Sequence, residues 1–272
     1  MPAMTQNLLF SLSTLAALIP LTFHGLARFD GREGARDGLY WTFMGVAVAI
    51  PLAWVLFQVS GVWQTGLSTT LWVTVAVSMS LFFLIAAFTR HAWRLTSLMA
   101  PYMLGLGVLA TVWQHAPPKP LRIPLDAWLE VHIAVSVLTY GLVTIAAVAA
   151  LAATLQDRAL KSKKPTRLTA RLPSIADCEF LLVRLLAIGE GVLALGLSTG
   201  MASLYLESGR LITFDHKTIL TMTAFLVIGA LLFAHYRSGV RGRQTARIVL
   251  LAYLLMTLGY PGVKFVTDVL MT

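Results

Sequence analysis

Eight runs of mostly apolar residues recur along this chain, at roughly 7–28, 39–59, 67–88, 95–114, 127–156, 179–205, 215–236 and 247–270. A helix needs about 20 such residues to cross the hydrocarbon of a bilayer. In lipid, only helices and closed barrels leave no backbone polar group unpaired. Charged residues make up 12% of the chain, about half the share found in soluble domains. The sequence therefore predicts an all-α, polytopic integral membrane bundle of about eight transmembrane helices. The loops are short except at 157–178, and no polar stretch is long enough for a separate soluble domain. Residues 1–272 are expected to form a single membrane domain, with spans one to four in 1–127 and spans five to eight in 128–272. The start has no basic n-region and no clear cleavage site, so it reads as a retained first span.

The net charge of +9 does not point to nucleic acid. The basic residues lie in loops, where they orient a membrane protein. Loops one, three, five and seven hold fifteen lysines and arginines, among them Arg28, Arg32, Arg36, Arg90, Arg94, Arg158, Lys161 and Arg243. The opposite loops hold five: Lys119, Arg122, Arg210, Lys217 and Lys264. The odd loops are thus expected in the cytoplasm, with both termini on the outer, periplasmic side of a bacterial cytoplasmic (inner) membrane.

Cys178 is the one cysteine, so the chain has neither an internal disulfide nor a CxxC redox pair, and lacks the C-x-x-C-H of a c-type haem site. Any redox chemistry must come from a bound cofactor. No P-loop is present, so use of ATP would require a partner. Prolines and glycines fall inside several spans, including Pro20, Pro51, Pro101 and the series Gly189, Gly191, Gly196 and Gly200. The spacing Gly196-x-x-x-Gly200 reads as close helix packing.

The topology assigns a depth to each histidine. His132 lies one to two turns below the outer end of span five, and His216 opens span seven at the same face. Trp128, His132, Ser136 and Thr139 form one stripe at helical spacing on span five, with Tyr140 beside it. A polar stripe in a span faces protein or a cavity, because an unpaired polar group in hydrocarbon costs several kcal/mol. Its bland reading is a bond to a neighbouring helix.

Two imidazoles at matched depth suit a metal or a haem iron. Zinc would want three or four ligands, with only His115, Asp126, Glu130 and Asp215 in reach of the outer face. Haem needs two, set about 4 Å apart, with aromatic walls from Trp113, Trp128, Tyr140, Tyr205 or Phe214. Lys217, Arg210 or Lys264 would pair with the propionates. Haem fits these residues better than zinc. His24 and His235, near the inner ends of spans one and seven, are candidates for a second haem site. Glu190, near the middle of span six, is either a neutral packed acid or part of a proton or polar path.

Four stretches also carry a family likeness: "VHIAVSVLTYGLVTIAAVAAL", "LPSIADCEFLLVRLLAIGEGVLALGLSTG", "FDHKTILTMTAFLVIGALLFAHYRSGVRGRQ" and "LGYPGVKFV". The chain resembles the cytochrome c assembly protein family, the haem-handling membrane proteins of the CcsA and CcmC type. It is most similar to the short eight-span branch called HemX-like or YpjD-like. The resemblance implies haem bound without a covalent link, as a b-type group, by His132 and His216 near the outer face, with Lys217 beside them. It implies haem handling, delivery or export in cytochrome c maturation, with other maturation or transport subunits as partners. The protein would then be a chaperone or transporter rather than a catalyst. Larger members carry a tryptophan-rich segment where this chain reads "LITFDHKTIL", so the resemblance implies haem binding rather than haem attachment to an apoprotein. A permease-like or accessory subunit of a metal-ion or small-solute system is the alternative, and it would draw on Glu190.

Overall fold

The computed structural model describes residues 2–27, 37–59, 66–115, 127–239 and 242–266. Arg28, Arg32, Arg36, Lys119, Arg122, Asp126, Arg241 and the end of the expected eighth span lie outside the described residues, as does the His115 side chain. The described chain is helical throughout: α1 (Pro2–Ala27), α2 (Gly38–Val59), α3 (Leu67–Phe88), α4 (Thr96–Val112), α5 (Ala127–Ser162), α6 (Ile175–Ser208), α7 (His216–Ser238) and α8 (Arg243–Thr257). A π-helical turn (Leu258–Gly262) and a short helical turn (Val263–Phe265) extend α8.

Eight helical stretches are long and apolar enough to cross a membrane, one for each expected span. The chain is a multi-pass membrane protein. The fifth and sixth helices are longer than the hydropathy pattern alone suggests. At 1.5 Å per residue, 36 residues in α5 run about 54 Å, well past a hydrocarbon core of about 30 Å. Their ends are polar helix, such as Asp157 to Lys161 in α5.

Local chemistry sets the boundaries that frame the later helices. Ser174 caps α6 by accepting from the Asp177 amide at 3.1 Å, and donates its hydroxyl to the Asp177 carboxylate at 2.6 Å. Asp215 caps α7, accepting from the Thr218 amide at 2.7 Å. Both helices end on a glycine in the left-handed region, Gly209 at φ +69° and Gly239 at φ +67°, where a Cβ would be strained. The amide of Gly242, ahead of α8, donates to the Glu179 carboxylate of α6 at 2.7 Å.

The chain divides into two compact units. The first holds residues 1–121 and 158–173, the second 122–157 and 174–272. In the first, α1 meets α4 closely at Gly25, where an added Cβ would sit 3.3 Å from the Ser97 backbone. Tyr40 and Thr96 share a buried hydrogen bond of 3.1 Å. Arg171 ties the 158–173 segment to α1 by donating to the Gly25 carbonyl at 2.9 Å. The second unit gathers α5 to α8 and contains the stretches that carry the family likeness.

Candidate functional site

In the second unit, His132 is half-buried on the sixth residue of α5. Its Nδ1 lies 3.0 Å from the Gly196 carbonyl oxygen and 3.3 Å from Thr199 Oγ1, both on α6. Nε2 has no hydrogen-bond partner among the described residues. The ring rests against Gly200, where an added Cβ would fall 2.8 Å from Cε1 and 3.2 Å from Nδ1. The glycine pair is thus a seat for an imidazole as well as a helix contact. The sequence marked both glycines but gave no sign that a ring fills the gap. Thr199, which completes the seat, carried no signal of its own.

His216 is exposed at the first position of α7. It follows Asp215, whose carboxyl is held below the usual aspartate range. Partial burial alone would push that carboxyl up, but hydrogen bonds from Thr218 and the charges of Lys217 and His216 outweigh it. Lys217 is also near enough for its charge to act on His132. The first turn of α7 packs on the π-helical turn. A Cβ on Gly259 would stand 3.2 Å from Leu220 Cβ and 3.9 Å from the Lys217 carbonyl oxygen. Such π turns recur at functional sites, and Pro261 inside this one removes an amide from the helical ladder.

The remaining expected residues fall as follows. Trp128, one turn ahead of His132, is half exposed, and Tyr205 and Phe214 are exposed. Tyr140 is buried two turns further along α5, hydrogen-bonded to Thr257 at 3.1 Å and Tyr253 at 3.4 Å. Its ring also lies near Tyr260, with centroids 6.3 Å apart. It belongs to a tyrosine cluster that braces α5 on α8 and its π turn. Tyr253 and Tyr260 are seven residues apart, two turns on one face, a spacing that could have revealed the cluster. His24 lies tilted against Tyr40 and edge-on to Phe43 in the first unit, and Trp113 also belongs there. His235 lies in the second unit beside Tyr236.

Glu190 of α6 points at Gly229 of α7, where an added Cβ would be 3.0 Å from Oε1. Oε2 is enclosed without a hydrogen-bond partner among the described residues. A shallow cleft bordered by Asp157 and Arg243 lies at the far end of this unit. It is about 37 Å along α5 from His132 at 1.5 Å per residue, and does not belong to the histidine site. Among the described residues no group of three or more His, Cys, Asp or Glu could hold a metal ion.

The chain is 53% identical over 271 residues to an uncharacterized 28.8 kDa protein of Azospirillum brasilense, covering 98% of this chain and all of the relative. It is 28% identical over 188 residues to the inner membrane protein YpjD of Escherichia coli, covering 68% of this chain and 69% of that protein. Protein HemX of Brevibacillus brevis is 23% identical over 196 residues, covering 70% and 69%. No solved structure matches the chain significantly. The description "Cytochrome C assembly protein" matches residues 39–271, which takes in seven of the eight helices and every residue of the His132 seat. The chain belongs to the cytochrome C assembly protein family.

Proposed function

We propose that this protein binds haem in the bacterial cytoplasmic membrane and handles it for cytochrome c maturation or haem export. His132 and His216 would hold the haem iron, and Lys217 would pair with a propionate. The observation that carries this reading is the state of His132: Nδ1 is tied to a backbone carbonyl while Nε2 has no partner among the described residues. Metal-ligating histidines typically use their second nitrogen in this way, to fix the ring and raise its basicity. Haem bound here would supply an iron able to accept electron pairs from imidazole nitrogens. The chain's own residues orient the ring and offset the propionate charge. Trp128 offers an aromatic wall one turn away.

Family membership supports the reading, and the name of the Escherichia coli relative supports the inner membrane. The excess of basic residues in the odd loops supports a periplasmic position for the His132 end. A reporter fused after Arg171 is then expected to read cytoplasmic.

The test is the visible spectrum of gently purified protein with and without added haemin. A Soret band with resolved low-spin α and β bands is expected, at one haem per chain if His24 and His235 form no second site. A colourless protein that takes up no haemin, and whose loss alters cellular metal content, would favour a permease-like role. That role would rest on Glu190, whose Oε2 is enclosed without a partner among the described residues.

A further inference from the structure

We propose that Gly196 and Gly200 of α6 are positioning residues for His132: their notch holds the imidazole in the one tautomer that leaves Nε2 as an electron-pair donor. The haem reading is needed only for what Nε2 then binds. The tautomer itself is a property of the haem-free protein.

Gly196 fixes the position of the ring proton. Its carbonyl oxygen is 3.0 Å from Nδ1, and a carbonyl can only accept. An Nδ1 lone pair facing it would be repelled, so the neutral ring must carry its proton on Nδ1. Thr199 reinforces this. Its hydroxyl has carbonyl acceptors on its own helix, Leu195 at 3.0 Å and Gly196 at 3.1 Å. With its proton used there, Thr199 Oγ1 offers Nδ1 a lone pair at 3.3 Å. Both α6 neighbours therefore ask Nδ1 for a proton, and Nε2 is left bare.

Gly200 supplies the space. A Cβ there would stand 2.8 Å from Cε1, closer than real Cβ atoms come, and a tight 3.2 Å from Nδ1. The ring cannot retreat without giving up its bond to Gly196. At Gly196 itself a Cβ would meet Val135 at 3.4 Å, an ordinary contact. The two glycines thus differ in role: one contributes a carbonyl, the other an absent side chain. A symmetric small-residue helix contact would not show this division.

The test is imidazole ¹⁵N NMR on the haem-free protein, with the His132 signals assigned by difference against His132→Gln. A protonated Nδ1 and a bare Nε2 are expected in the wild type and in Thr199→Val, which keeps the Gly196 carbonyl. Gly200→Ala should lose that pattern and weaken haemin binding about 10–100-fold, the usual cost of removing a group that orients a metal ligand. Should Gly200→Ala fold poorly, the double variant His132→Ala/Gly200→Ala decides: the three atoms nearest the added methyl all belong to the His132 ring, so without it most of the lost thermal stability should return. A wild-type ring protonated on Nε2 would overturn the proposal. So would a Gly200→Ala penalty equally large with and without His132. If the tautomer is as stated and haemin still does not bind, the notch stands and the haem reading falls.

Discussion

In the first unit, large side chains fill the interior: Trp72, Phe82, Leu18, Leu21, Met44, Met79, Met99 and Met103 are fully buried. Its buried hydroxyls largely satisfy themselves within their own helices, as Thr74 does on the Thr70 carbonyl at 2.9 Å and Thr22 on the Leu18 carbonyl at 2.9 Å. The second unit is built from smaller parts. Its longest helix buries a run of alanines, Ala146, Ala147, Ala149, Ala150, Ala152 and Ala153, and α6 presents glycines at 189, 196 and 200. Into the gaps go polar groups that reach across helices: His132 to α6, Tyr140 to α8, and Glu190 toward α7. Close packing by bulk confers stability, whereas gaps between small residues leave room for directed nitrogen and oxygen atoms. The difference between the units is one of stability against chemistry.

Trp72→Ala, in the first unit, should have the largest effect on stability, about 3–5 kcal/mol for a fully buried aromatic side chain. Reversible unfolding in detergent reads that loss, and haemin uptake per folded molecule should stay unchanged. Lost uptake by the folded fraction would break the division of labour.

In the second unit, Asp215→Ala removes the α7 cap and should cost about 0.5–2 kcal/mol. Because the folded carboxyl sits below the usual aspartate range, its stabilisation is fully present above about pH 3.9. It is lost as pH falls through the lower folded value. Asp215→Asn should keep most of the cap while losing that acid dependence, as measured by stability against pH.

Tyr140→Phe should cost about 1 kcal/mol, the scale of one buried hydrogen bond, here the contact with Thr257 at 3.1 Å. The tyrosine cluster is a brace for α5, so the position of the Soret band should not move. A large spectral change would instead bring Tyr140 into the haem wall. The smallest effect belongs to Leu226→Ala on α7, where the side chain is 67% exposed and meets lipid in the membrane. It should stay within about 0.5 kcal/mol. A larger loss would indicate that something other than lipid covers this face.

Much of this architecture was legible in the sequence. Eight spans follow from apolar length alone, because the bilayer imposes one dimension on every crossing helix. The ends of α5 and α6 were not, since residues such as Arg158 and Lys161 extend a helix without adding hydropathy. His132 and its stripe stood out as polar groups in a span. Its partners did not, because the α6 face that meets α5 is decided by packing between helices and not by local spacing. Gly196 and Gly200 gave the expected close approach, but the object that fills it is a ring from another helix. Tyr140 was legible as polar and aromatic, yet its partners lie more than a hundred residues away on α8.

The central proposal is that an imidazole seated in α6 would present Nε2 to haem iron, with His216 as the second histidine that would hold it. Its most direct test is the spectrum of haemin-loaded His132→Ala and His216→Ala, before and after free imidazole is added. Each variant should lose the low-spin α and β bands, and imidazole should partly restore them by filling the vacated axial position. If both variants keep the wild-type Soret and α bands, neither histidine ligates the iron and the account of this site is wrong.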